Sequence, residues 1–119
     1  MRFKLKEPFL IEKNDKRYEN AMKQIRDRGF DDSATWSLFT TIGEMVTPMM
    51  KRFLELHQKN IRDDDNFGED VEKMIKAFEL IRDYDDWTTF GTTQGDINNH
   101  KIIEEGLELF KGNWSCLWW

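Results

Sequence analysis

Cysteine, proline and glycine are scarce in this chain of 119 residues, at one, two and seven respectively. A lone Cys116 excludes an intramolecular disulfide and any multi-cysteine metal site, and makes a reducing, intracellular setting the default expectation. So few turn residues argue against a turn-rich β-sandwich and against a low-complexity linker. No apolar run approaches the roughly 18 residues that a membrane span needs. The N-terminal stretch lacks the apolar core of a secretory signal, so a soluble cytoplasmic protein is expected. Phosphate-cradling signatures are missing too, with neither Gly-x-x-x-x-Gly-Lys nor Gly-x-Gly-x-x-Gly present. No glycine-rich elbow surrounds any serine, and His57 and His100 each stand without a second histidine at helical spacing.

What the chain does have is aromatic bulk. Nine Phe, five Trp and two Tyr accompany a mean hydropathy of −0.75 and 34% charged residues. Each ring can bury roughly 150–250 Å², enough to build a core despite the charge. The length fits one domain over 1–119.

Charge is distributed unevenly within the net −5. Residues 1–28 carry nine Lys/Arg against five Asp/Glu, whereas residues 61–86 carry ten acids against four bases. An acidic balance argues against a general nucleic-acid binder. The segregated runs read first as solvated faces, and second as an interaction surface for a basic partner.

The hydrophobic spacing predicts a mainly α fold of about four helices, with an extended arm over 1–12. Phe3-Lys4-Leu5-Lys6 alternates with a period of two, and Pro8 ends or edges any strand there. Tyr18, Ala21, Met22 and Ile25 form one stripe of a helix over 15–28, closed by Gly29. Asp31, Asp32 and Ser33 offer caps for a helix over 33–58 whose apolar surface exceeds half its circumference. That breadth predicts a central helix, kinked at Pro48. Val71, Met74, Ile75, Phe78 and Ile81 mark a helix over 69–84. Ile103, Leu107, Phe110, Trp114 and Leu117 make a heptad-like seam on a helix over 96–115, with Gly106 inside it implying a close neighbouring backbone. Residues 85–95 break the helical period and read as an aromatic-anchored loop, or as a strand over 87–93 pairing with residues 2–6.

No catalytic residue, metal ligand set or cofactor is expected, and the chain is read as not an enzyme. Asp63-Asp64-Asp65-Asn66 evokes a calcium loop, but starting at Asp63 places Met74 where a bidentate Glu belongs. Glu104 and Glu108 share one helix face and read as solvated surface. Cys116, beside Trp114 and Leu117, reads as a core thiol. Trp36 and Trp114 fall at positions assigned to the core. Trp118 and Trp119 are adjacent and cannot face the same way, so at least one is an interface candidate.

Arg17-Tyr18-x-x-Ala21-Met22, followed by Arg28-Gly29-Phe30-Asp31-Asp32-x-x-Thr35-Trp36-Ser37-Leu38, resembles a family of small uncharacterised proteins encoded by tailed phages. Pro48 with Lys51-Arg52-Phe53, Glu105-Gly106-Leu107-x-Leu109-Phe110 and Leu117-Trp118-Trp119 are similar to further segments of that pattern. The resemblance runs from residue 17 onward and departs at Met49-Met50 and over 85–95. It implies a phage product acting in the cytoplasm of a bacterial host, and no activity comes with it.

The expectation is therefore a non-enzymatic phage accessory protein that binds a host or phage protein, for instance as an inhibitor of a host function. Its interface candidates are Trp87, Trp118, Trp119, Arg17 and Tyr18. The alternatives are an oligomer that sequesters a signalling nucleotide, with Arg17 and Tyr18 supplying phosphate contact and stacking, and a structural component of virion or replication machinery.

Overall fold

Four α-helices follow one another along the chain: α1 (Tyr18–Arg28), α2 (Leu38–Asn60), α3 (Phe67–Asp83) and α4 (Gln94–Gly112). Short 3-10 helices lie before α2 at Asp32–Thr35 and after α4 at Trp114–Cys116. They are seen in a computed structural model that describes residues 4–60, 66–83 and 94–118. No strand occurs among the described residues, and the protein is mainly α. Residues 87–93, read as an alternative strand, and the acidic run 63–65 lie outside the described residues. Contacts group the chain into two compact units, Met1–Thr41 and Ile42–Trp119.

In the first unit α1 forms on the expected stripe, with Ala21 and Ile25 each only 2% exposed. Its start falls at Tyr18 and not at residue 15. The Asp15 carboxylate instead accepts the Arg17 backbone N–H at 2.8 Å, while the Tyr18 N–H reaches the Asp15 carbonyl at 3.0 Å, a turn that delays the helix. Gly29 ends α1 at φ 93°, a left-handed conformation that glycine adopts at no steric cost, and its N–H donates to the Ile25 carbonyl at 2.8 Å.

Residues 4–17 run through bends and turns, so their backbone donors need partners from elsewhere. Asp31 and Ser33, both fully buried, provide them. The Phe9 N–H donates to Asp31 Oδ1 at 2.9 Å, and the Leu10 N–H donates to Ser33 Oγ at 2.8 Å. Ser33 in turn donates both its backbone N–H, at 3.1 Å, and its hydroxyl to Asp31 Oδ2. The same carboxylate thus caps the 3-10 helix and clamps a segment 22 residues away. Leu5 joins this arrangement by donating its N–H to the Gly29 carbonyl at 2.8 Å.

The helix expected over 33–58 is split. Asp31 caps a 3-10 helix, in which the Trp36 N–H reaches Ser33 O at 3.2 Å, and α2 begins only at Leu38. Thr41 helps fix the break by donating its hydroxyl to the Ala34 carbonyl at 2.7 Å.

In the second unit α2 continues through Pro48 as one helix to Asn60. The place expected for that helix at the centre belongs here to α3. Val71, Met74, Ala77, Phe78 and Ile81 of α3 are all at most 5% exposed, whereas Ile42 and Met49 of α2 remain 42% and 55% exposed. The reason is shape. The face that α2 turns to α3 carries Gly43, and a Cβ there would sit 2.9 Å from Arg82 N and 3.0 Å from Phe78 O. On the other side, a Cβ at Gly106 of α4 would overlap the Ala77 side chain and approach Lys73 O to 2.8 Å. Two helix backbones therefore lie against α3, and the larger apolar side chains of α2 are not all needed for the core.

Met50, Val71, Met74 and Ile75 form one buried cluster, with Phe53, Leu54 and Phe67 packed on it. Phe78, Ile81 and Ile103 form another, flanked by Phe110. Each such side chain contributes about 1.5–3 kcal/mol on full burial.

Two substitutions test these contacts by urea denaturation. Gly106→Ala should destabilise by about 1–3 kcal/mol through overpacking, outweighing the roughly 1 kcal/mol that alanine gains in helix propensity. Asp31→Asn replaces one acceptor oxygen by a donor facing the N–H of Phe9 or Ser33, and should cost about 1–3 kcal/mol.

Candidate functional site

The C-terminal end of the second unit places large apolar side chains in solvent. Trp114 is 67% exposed and Trp118 is 65% exposed. Trp114 is nevertheless anchored. Its ring meets Phe110 edge-on at 5.2 Å and 77°, and Phe110 meets the buried Phe78 at 5.2 Å and 80°. Edge-to-face pairs at this spacing place the positive ring edge on the negative face and contribute roughly 0.5–1.5 kcal/mol each. A chain of three rings thus runs from the core of α3 to the surface.

Past α4 the backbone stays ordered. The Asn113 side-chain amide donates to Leu109 O at 2.8 Å, the Cys116 N–H to Asn113 O at 2.9 Å, and the Trp118 N–H to Cys116 O at 2.9 Å. Trp118 therefore projects from a hydrogen-bonded turn. Leu117 is partly buried and packs on the Met50 cluster.

Exposure at Trp114 and Cys116 corrects the expectation that both are core residues. Of the heptad-like seam, Ile103 is buried and Phe110 and Leu117 pack on the core clusters, whereas Leu107 is 39% exposed and Trp114, where the chain passes from α4 into a 3-10 helix, is in solvent.

Acidic groups line the outer side of α4. Glu104 lies 3.0 Å from His100 Nε2 and Glu105 lies 3.0 Å from Lys73 Nζ, whereas Glu108 makes no ion pair among the described residues. The Lys73 ammonium is held above its ordinary pKa, first by the hydrogen bond to Glu105 and then by its charge.

The first unit holds the other sequence candidates. Trp36, expected in the core, is 53% exposed and carries the Arg17 guanidinium 5.2 Å above its ring. Arg17 also grips the Asp15 carboxylate through two nitrogens, Nε at 3.0 Å and Nη2 at 2.7 Å. That guanidinium is already engaged by a carboxylate and a ring. Tyr18 lines an open cavity of about 460 Å³, with Glu7, Phe9, Glu12 and Lys13 among its other walls. Arg17 and Tyr18 are thus neighbours in sequence with separate surroundings. Trp87 and Trp119 lie outside the described residues.

No family model, curated protein or solved structure matches this chain. Among the described residues no group of three or more His, Cys, Asp or Glu gathers in metal-binding distance, and no helix is long and apolar enough to cross a membrane. His57 is buried between the rings of Phe53, at 5.7 Å, and Phe67, at 4.9 Å, and its Nδ1 has no hydrogen-bond partner. Nothing in its spacing from other residues marks it in the sequence.

The Arg17 grip can be checked by titration. Hydrogen bonds from the Arg17 side chain, then from its backbone N–H, hold the Asp15 carboxyl at about 2. Because this value lies below that of an unfolded aspartate, the pair stabilises the fold above about pH 3.9, and that contribution fades as pH falls toward 2. NMR titration of the Asp15 carboxyl should give a midpoint near 2. In Arg17→Ala the midpoint should rise but stop short of about 3.9, because the backbone N–H of residue 17 still donates to the carboxylate.

Proposed function

We propose that this chain is a non-enzymatic binding protein, a small phage accessory factor that engages a host or phage protein through the aromatic C-terminal end of its second unit. The observation that carries the reading is the two-thirds exposure of Trp114 and Trp118 on an ordered support. Tryptophan is costly to leave in water and is enriched among residues that dominate interface energetics. A ring already held in place, as Trp114 is by Phe110, loses little further freedom on binding. The resemblance to tailed-phage proteins supports the setting, a bacterial cytoplasm.

Sequestration of a signalling nucleotide has less support. The Tyr18 cavity has the volume for a small ligand. Its charged walls are two carboxylates and one ammonium, and the adjacent Arg17 is committed to Asp15, so a phosphate has little to bind there.

Affinity capture with the full chain from a bacterial lysate, repeated with Trp118→Ala and Trp114→Ala, tests the reading. Each variant should lose the captured protein by about tenfold or more, as expected of an interface anchor. Stability should change by at most about 0.5 kcal/mol for exposed Trp118, and by about 1 kcal/mol for Trp114, which also loses its Phe110 contact. Unfolding of both variants would mean that the rings serve the fold, and would overturn the proposal.

A further inference from the structure

Seven consecutive residues of irregular backbone, 7–13, close around the cavity of about 460 Å³ together with Tyr18 in the first turn of α1. All of them belong to the unit Met1–Thr41. The wall is fixed at two places. The N–H groups of Phe9 and Leu10 are held by Asp31 and Ser33 at 2.9 and 2.8 Å, and the Asp15 N–H closes a turn on the Glu12 carbonyl at 3.0 Å. Across a trans peptide the carbonyl points opposite to the N–H that follows it. The Pro8 and Phe9 carbonyls therefore face away from Asp31 and Ser33, and neither accepts a hydrogen bond among the described residues.

The lining divides by chemistry. Ile11 is buried and Pro8, Phe9 and Tyr18 are half-buried, whereas Glu7, Glu12 and Lys13 are exposed. Sheltered apolar surface is thus combined with charge of both signs. Those charges do not neutralise one another, because Lys13 forms no ion pair with Glu7, Glu12 or any other carboxylate among the described residues. We infer that the cavity binds a small zwitterion with an apolar body, the chemistry of a free α-amino acid such as phenylalanine or leucine. Its ammonium goes to the carboxylates of Glu7 and Glu12, its carboxylate to Lys13, and its side chain to the rings and Ile11. The volume suits a whole molecule of this size better than the tip of one side chain. Lys6 and Lys16, nearby in sequence, repel a cation, and the two wall carboxylates repel an anion. A ligand of zero net charge escapes both costs while using both signs. The inference is independent of the tryptophan interface, which belongs to the other unit.

The experiment uses the full chain and three ligands that share one ring. They are L-phenylalanine, its amide, which keeps only the ammonium, and N-acetyl-L-phenylalanine, which keeps only the carboxylate. Chemical shifts of the Ile11 methyl groups and the Tyr18 ring report binding. Phenylalanine should shift both, and should bind about threefold or more tightly than either derivative, the effect of one exposed charge contact. Glu7→Gln combined with Glu12→Gln should abolish its advantage over the N-acetyl derivative, and Lys13→Gln its advantage over the amide. All three residues are exposed, so these variants keep the fold, and their unliganded spectra check it. Equal affinity for the three ligands would overturn the zwitterion and reduce the site to an apolar hollow. Tighter binding of either derivative would overturn it in favour of a single charge. Absence of shifts at about 10 mM phenylalanine would exclude any stronger affinity and overturn the site itself, as would shifts confined to residues outside its walls.

Discussion

The close approach of two helix backbones to α3 is the constraint on which the second unit depends. A helix buried on both sides cannot be reached across long side chains without leaving gaps, and gaps forfeit contact energy. Gly43 and Gly106 remove the Cβ atoms that would otherwise meet Phe78 O and Lys73 O at 3.0 and 2.8 Å. With the backbones that near, Met50 on one side and Ile103 on the other reach the α3 core. The position of Phe78 then sets that of Phe110, and Phe110 sets that of Trp114. The exposed Trp114 ring is thus referenced to the most buried helix by two aromatic contacts.

The first unit solves a different problem. It has less apolar bulk to bury, and a long segment without regular structure needs its amides satisfied. A carboxylate at zero exposure that forms no ion pair among the described residues is costly unless its lone pairs are filled. Asp31 meets that condition with three donors, from Phe9, Ser33 N–H and the Ser33 hydroxyl. The outlying links are exposed and modest by comparison. Arg28 bonds Asp32 at 2.5 Å while covering the Phe30 ring, and Gln24 exchanges two hydrogen bonds with Asp32. Because Phe9 and Leu10 also wall the Tyr18 cavity, the buried carboxylate fixes the shape of that cavity as well.

Helix positions were legible in the sequence because periodicity is local. Tyr18–Arg28, Leu38–Asn60, Phe67–Asp83 and Gln94–Gly112 all carry the apolar spacings that mark them, and Gly29 and Gly106 announced a cap and a close approach. Burial was less legible, because it depends on which face finds a partner. The wide apolar surface of α2 pointed to a central helix, yet its contact with α3 runs through Gly43, and Ile42 and Met49 stay in solvent. Trp36, Trp114 and Cys116 carry core-like chemistry and are exposed because the chain leaves its α-helical path beside each of them, at the 3-10 helices. Asp31 was readable as a cap, but its bond to Phe9 joins residues 22 apart and no local pattern encodes it. The exposure of the C-terminal rings was anticipated only for the Trp118–Trp119 pair, from the geometry of adjacent side chains.

The clamp at Asp31 also orders events in time. Phe9 and Leu10 leave the ribosome 22 and 23 residues ahead of the groups that accept their N–H bonds. At ordinary elongation rates that is a wait of about 1–4 s, far longer than a helix or short loop needs to form. During it those amides can only bond to water. The segment is thus made first and seated afterwards, onto acceptors assembled by the turn between Gly29 and Thr35. A chain stalled before residue 31 would carry the α1 sequence but no seat for the residues that precede it.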